Sequence, residues 1–441
     1  MNRKVIGLFG LMSLRLLAQG GPADPVFGAV PFDRWMAEGE QAHFRWIIRV
    51  SPPVLSSHQR LRARVEIQVD GNELLKRRGK GELVGLVQIN DSAGHAYQSH
   101  GAIRLDNVKD EAKGNDVVYT QDAFVVPGDY TLSLVMFDSS NGDHNVAKRT
   151  LHVAPLRADP LADAWQDLPP VEFVPGGEAP DVWFMPALTS HLLLPLETRR
   201  PVHIDLLVNA SPSETAETPR RNPISSPNLS IILPALKVLS QVQVRNGTLN
   251  LAVLDLSRRK VSFQQSDVRE LDWPGLKTGL AEASPDIINV HALEQREQDA
   301  QFFVTEVNRR WSEPPNVVLG NGAHPDSAKS TRVLIVLSAP MSFASGADLH
   351  PIKAAKDPNQ RIFYIRYRPT VPRPFPPPEP SPFERQRGAM GRGLPRPPAF
   401  AVQQDSLEGT LKPLDPRLFD VETPEQFRKA LAVILSDISR M

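Results

Sequence analysis

The chain has 441 residues, with 50 Lys+Arg balanced by 50 Asp+Glu. Zero net charge leaves no electrostatic footprint for nucleic acid or an anionic membrane. The absence of cysteine excludes disulfides, thiol nucleophiles, iron–sulfur clusters and zinc thiolate sites. Proline, at 42 residues, is roughly double ordinary usage, yet an apolar fraction of 41% is enough to bury real cores.

Residues 1–20 read as an export signal. Arg3 and Lys4 precede the apolar run Val5–Leu14, and Ala18-Gln19-Gly20 offers small residues for cleavage. No later segment has the ~18 uncharged apolar residues of a membrane helix, so the mature chain is expected outside the cytoplasm of a bacterium, periplasmic or secreted.

Residues 25–155 are expected to form an all-β, immunoglobulin-like sandwich. Leu61–Asp70 alternates apolar and polar residues without a fault, the period of a half-buried strand. Similar runs occupy 43–50, 82–90, 96–105, 117–126, 130–138 and 145–153, with Asn141-Gly142 as a hairpin signal between the last two. Residues 156–198 read as a proline-rich but ordered connection. Eight prolines between Pro155 and Pro195 are mixed with Trp165, Phe173, Trp183 and Phe184, which pure linkers rarely carry.

From 199 to 441 strand and helix patterns alternate, which predicts a doubly wound, Rossmann-like α/β domain. The strands are His203–Val208, Leu249–Leu254, Val261–Gln264, Arg332–Leu337 and Arg361–Tyr367. Helices are expected at 230–243, with Pro234 in the first turn, and at 293–311, where Ala300, Phe303, Val304, Val307 and Trp311 share a face. Thr423-Pro-Glu-Gln426 is a capping box that opens a final helix with Phe427, Leu431, Ile434 and Ile438 on one side. Residues 369–400 interrupt this pattern as a proline-rich loop, expected to be extended and polyproline-like.

The strand ends Ile204–Ser213 and Val333–Pro340, with Leu418–Phe427, resemble those of von Willebrand factor type A domains. The chain is most similar in layout to exported bacterial VWFA-related domain proteins. The resemblance implies a cation site at the strand ends, built from an Asp-x-Ser-x-Ser loop, a threonine and a second aspartate. Here Ser211 and Ser213 match the two serines. Asn209 stands at the first aspartate position and Ala339, after Ser338, at the second, while no residue is matched to the threonine. A site without carboxylate charge is poorly suited to Mg²⁺, which gives up its waters reluctantly. Asp205, four residues earlier in the strand, is too far back to substitute. The expected role of Asn209, Ser211, Ser213, Ser338 and Ala339 is therefore a metal-free edge that binds a protein partner.

Other chemistry lacks a motif. No His-Glu-x-x-His, Gly-x-Ser-x-Gly or phosphate-binding loop occurs, Gly320-Asn-Gly322 is a bare glycine turn, and His95 and His100 are not placed to chelate together. Asp286, Glu294 and Glu297 read as helix-surface charge, and Arg77-Arg78-Gly-Lys80 as a solvated loop. The expectation is a non-catalytic protein-binding or scaffolding protein with no cofactor, no metal and no nucleic-acid partner. The alternatives are a cation-dependent adhesion module, or an exported enzyme whose site is assembled from distant residues.

Overall fold

The computed structural model describes residues 24–79, 81–174, 190–211, 227–281, 296–312, 330–341, 352, 359–368 and 405–441. The expected export signal, Ser213, the 369–400 loop, Gly320-Asn-Gly322, Trp183 and Phe184 lie outside these residues, as do Lys80, Asp286 and Glu294. The chain divides into two compact units, Met1–Leu193 and Leu194–Met441.

The first unit begins with two short helices, α1 (Pro25–Gly28) and α2 (Phe32–Glu38). Strands β1 (Trp46–Leu55) and β2 (Leu61–Asp70) are followed by α3 (Gly71–Lys76). Then come β3 (Glu82–Asn90), β4 (Ala96–Arg104), β5 (Asp116–Val125), β6 (Gly128–Asp138), β7 (His144–Val153) and the short β8 (Val171–Phe173). They form two antiparallel four-stranded sheets, β1-β2-β5-β8 and β4-β3-β6-β7, a β-sandwich arrangement. β2 alternates buried and half-buried residues along its whole length, as its sequence period requires. β6 is instead buried continuously from Leu132 to Asp138. Its second face is covered by α1 and α2, whose Phe27, Phe32 and Trp35 pack on Val84, Leu86, Val135, Phe137 and Val146. The Tyr130 hydroxyl donates back to the Val126 carbonyl at 2.8 Å and fixes the corner that leads into β6. Asn141-Gly142 sits in the β6–β7 connection as expected, but the loop spans residues 139–143 and only Gly142 takes positive φ, at 82°.

In the second unit, β9 (Leu194–Leu196) is followed by β10 (Val202–Asn209), α4 (Pro227–Ser240), β11 (Val242–Val244), β12 (Gly247–Asp255) and β13 (Lys260–Gln265). After α5 (Trp273–Ala281) and α6 (Arg296–Ser312) come β14 (Thr331–Ser338), β15 (Gln360–Tyr367), α7 (Ser406–Leu411), β16 (Arg417–Val421) and α8 (Pro424–Ser439). A six-stranded sheet runs in the order β13-β12-β10-β14-β15-β16, and β9 pairs with β11 in a separate two-stranded sheet. β10 is central and buried almost throughout, which explains its largely apolar sequence. Leu207, Ala252, Leu254, Leu334, Val336 and Tyr364 meet Phe303, Val304 and Val307 of α6. Ile204, Leu206, Leu249 and Ile335 meet Leu239, Leu431, Ile434 and Ile438 from α4 and α8.

The expectation of an immunoglobulin-like sandwich followed by a regular doubly wound, Rossmann-like domain is corrected by this architecture. The chain is dominated by strands arranged in four separate sheets. In the second unit, β12 and β13 form an antiparallel hairpin, which a regular doubly wound sheet does not contain. Its sheet is therefore mixed, and no helix is present between β14 and β15 among the described residues. The hairpin arises because Leu256–Arg259 turns tightly, with an Arg259 N–H to Leu256 carbonyl bond of 3.1 Å and Arg259 at φ 53°, leaving no length for a crossover helix. Pro234 also departs from its expected first-turn position, since α4 begins at Pro227 and places it inside the helix. No helix among the described residues is long and apolar enough to cross a membrane.

Candidate functional site

The parallel register brings the ends of β10, β12 and β14 side by side, pairing Val208 with Leu337 and Asn209 with Leu254. Asn209, Ser211, Ser338 and Ala339 consequently meet at one sheet edge. All four are buried, with Asn209 4% and Ser338 0% exposed.

Their polar atoms are engaged with one another. The Asn209 side-chain amide Nδ2 donates to Ser338 Oγ at 2.9 Å and lies 3.6 Å from Met341 Sδ. Its Oδ1 accepts from the Ser211 N–H at 3.1 Å and from Ser211 Oγ at 2.6 Å. Ser211 Oγ in turn accepts from the Leu256 N–H at 2.6 Å, and Ser338 Oγ donates to the Ala339 carbonyl at 2.5 Å. Asparagine fits here because the position needs a donor and an acceptor on one side chain, which a carboxylate does not supply. Asn209→Asp is expected to destabilise the chain by about 2–3 kcal/mol, because a charge replaces a buried donor. The urea midpoint of the variant measures this loss.

Two buried carboxylates flank this network, and neither was anticipated. Asp255, at the end of β12, accepts from Ser257 Oγ at 2.6 Å and from the Arg258 N–H at 3.2 Å. Asp405 caps α7, its Oδ1 accepting from the Leu407 and Met341 N–H groups, each at 3.3 Å. Its Oδ2 accepts from the Tyr364 hydroxyl at 2.8 Å. Burial raises the Asp405 carboxyl above the usual range, against the Tyr364 hydrogen bond that lowers it. Burial likewise raises the Tyr364 hydroxyl. The readable signal for Asp405 was Asp405-x-x-Glu408 with Leu407 and Leu411 four residues apart, a helix-start pattern.

Arg366 continues the edge across β15 and β16. Its Nη2 donates to Asp420 Oδ2 at 2.7 Å, its Nε to Asp420 Oδ1, and its Nη1 to Glu408 Oε2 at 2.8 Å. Nη1 also lies 3.8 Å from Asp405 Oδ2. The Asp420 hydrogen bonds raise the Arg366 guanidinium, and the same bonds lower the Asp420 carboxyl. The edge is thus one chain of polar contacts running from β10 to β16, with each carboxylate held by donors from the chain itself. Among the described residues, no group of three histidine, aspartate or glutamate side chains is placed to hold a metal ion.

The other sequence candidates are dispersed. Asp205 is half-buried within β10, accepts from Asn250 Nδ2 at 3.2 Å and has its carboxyl raised by desolvation. In the first unit, His95 pairs with Asp91 at 3.0 Å and His100 with Asp24 at 2.5 Å, so the two rings serve separate carboxylates. Arg77 is drawn into the sandwich rather than left in solvent, bonding Asp138 at 3.1 Å and Asp143 at 2.9 Å.

No family model and no curated protein match the chain. Among solved structures, it is similar to the X-ray structure of a Northeast Structural Genomics Consortium target. That match has 17% identity and a TM-score of 0.15, and covers 25% of this chain and 84% of that one. It is also similar to a glycosyl hydrolase family 2 member from Bacteroides cellulosilyticus DSM 14838, at 6% identity and a TM-score of 0.18, covering 73% of this chain and 36% of that one. A second structure of a glycosyl hydrolase family 2 member from Bacteroides cellulosilyticus aligns at the same identity and TM-score, covering 74% and 35%. The chain spans about a third of the hydrolases' length, and overlap this low carries no argument about activity.

Proposed function

We propose that the chain is a non-catalytic protein-binding or scaffolding module of the bacterial envelope or secreted space, and that it engages its partner without a metal ion. The observation that supports this reading is the Asn209 amide bonded to Ser338. It gives the strand ends a satisfied, uncharged core where a cation site would need open carboxylate oxygens. Asn209, Ser211 and Ser338 then shape the edge from within. The surface offered to a partner comes from the exposed Ser257, Arg368, Glu408 and Asp420 around them. The likeness of Ser211 and Ser213 to the serines of exported VWFA-related proteins is the analogy behind the binding role. Export rests on the basic and apolar start of the sequence.

Capture of proteins from a bacterial envelope fraction on the immobilised chain tests the reading. A partner retained in EDTA, and lost from a Glu408→Lys/Asp420→Lys variant, is the expected result. Loss of the partner in EDTA overturns the metal-free part. The absence of any partner in both conditions overturns the binding role.

A further inference from the structure

At the opposite end of the six-stranded sheet, where β10, β14 and β15 begin, an open cleft of about 430 Å³ is lined by Arg200, Thr331, Asn359, Arg361, Asp437, Arg440 and Met441. It belongs to the second unit alone and lies a full strand length from Asn209 and Ser338. Three guanidinium groups share the cleft with Met441 and with the Asp437 carboxylate, which already accepts from Arg417, while Arg361 Nη1 also donates to the Gln360 carbonyl at 2.9 Å. Gathering like charges in one concavity costs self-repulsion, which a bound anion relieves. The fold holds the cations in place. Arg361 is in β15, Arg440 follows the last turn of α8, and the Arg200 Nη1 donates to Asn359 Oδ1 at 3.4 Å. Guanidinium groups are planar forks matched to the paired oxygens of phosphate and carboxylate, and they stay charged at any working pH. The volume exceeds that of a single small anion.

We propose that this cleft is a binding site for a small multivalent oxyanion, bearing phosphate or carboxylate groups, clamped by Arg200, Arg361 and Arg440. The selective group beside the clamp is the Asn359 amide.

Calorimetric titration of the full chain at 0.15 M NaCl, with pyrophosphate and separately with citrate, tests the site. Saturable one-to-one binding of at least one probe is expected, weakened tenfold or more in Arg361→Ala/Arg440→Ala. Binding of pyrophosphate alone identifies a phosphate-bearing ligand, and binding of citrate alone a carboxylate-bearing one. Arg440→Glu, a change at an exposed helix end, is expected to weaken binding at least as much while leaving the circular dichroism spectrum unchanged. That variant keeps the test decisive if the double variant does not fold. The proposal is overturned if neither probe binds saturably, or if Arg440→Glu binds with wild-type affinity.

Discussion

Replacing Arg60 by alanine is expected to destabilise the first unit by about 3–5 kcal/mol, the range for breaking a buried charge pair by removing one partner. The Arg60 side chain is 0% exposed. Its Nη1 donates to the His191 carbonyl at 3.0 Å and its Nη2 to the Pro169 carbonyl at 3.3 Å, while Glu172 Oε2 lies 3.6 Å away. One guanidinium thus ties the β1–β2 turn to the segment on either side of β8. Trp165 reinforces the tie through an Nε1 bond of 2.8 Å to the Gln59 carbonyl. Arg60→Lys recovers only part of the loss, since an ammonium does not span both carbonyls as a fork does. Hydrogen exchange of the β2 and β5 amides reads the effect in this unit specifically.

The same contact sets an acid limit. Burial pushes the Glu172 carboxyl up, but the His191 ring, the His191 N–H and the Arg60 charge outweigh it and hold the group down at about 2. A carboxyl depressed in the folded state stabilises fully above its ordinary value near 4.5, and that contribution disappears as pH falls from there toward about 2. Stability of the first unit is therefore expected to decline through that window. Glu172→Gln is expected to show a flatter decline, as acid titration followed by circular dichroism will show.

Gly247→Ala is the second change with a large expected effect, above about 4 kcal/mol, where only a few mechanisms operate. Gly247 has φ 143° and opens β12 opposite Val202 of β10. A Cβ there would fall 1.7 Å from the Val202 carbonyl oxygen and 2.7 Å from its carbon. Both are backbone atoms, and the neighbouring Val202 N–H is held on the Asn246 carbonyl at 2.9 Å, so no side chain is available to yield. The central strand pair must separate at its first residues or the variant must fail to fold. Gly409→Ala is the matched control. Nothing lies within 4 Å of a Cβ at that position in α7, and the change is expected to be neutral or to stabilise by up to about 1 kcal/mol. Soluble yield and thermal midpoint of the two variants make the comparison.

The strands and helices set by a local rule were readable in the sequence. Leu61–Asp70 was legible to the residue because one buried face imposes strict alternation. The Thr423–Gln426 capping box was legible because both of its bonds are made within four residues. The bounds of β14, β15 and α6 follow from apolar runs and spacing to within a few residues. The antiparallel direction of β13 was not legible, since an apolar run carries no mark of strand direction. Three-residue strands such as β8, β9 and β11 are too short to show a period, and tertiary pairing alone defines them. At the candidate site, the adjacency of Asn209, Ser211 and Ser338 was readable from strand order. Their burial, and the part played by Asp255, Asp405 and Arg366, depends on contacts between residues more than forty positions apart.

The position of β10 also governs when the second unit can be completed during synthesis. Leu206 pairs on one side with Leu251 and on the other with Ile335, 129 positions further along the chain. At synthesis speeds of about 5–20 residues per second, roughly 6–25 s separate the emergence of this strand from that of its second partner. For that interval this central strand keeps one hydrogen-bonding edge open, and the nascent chain is at its most exposed to mispairing with its neighbours.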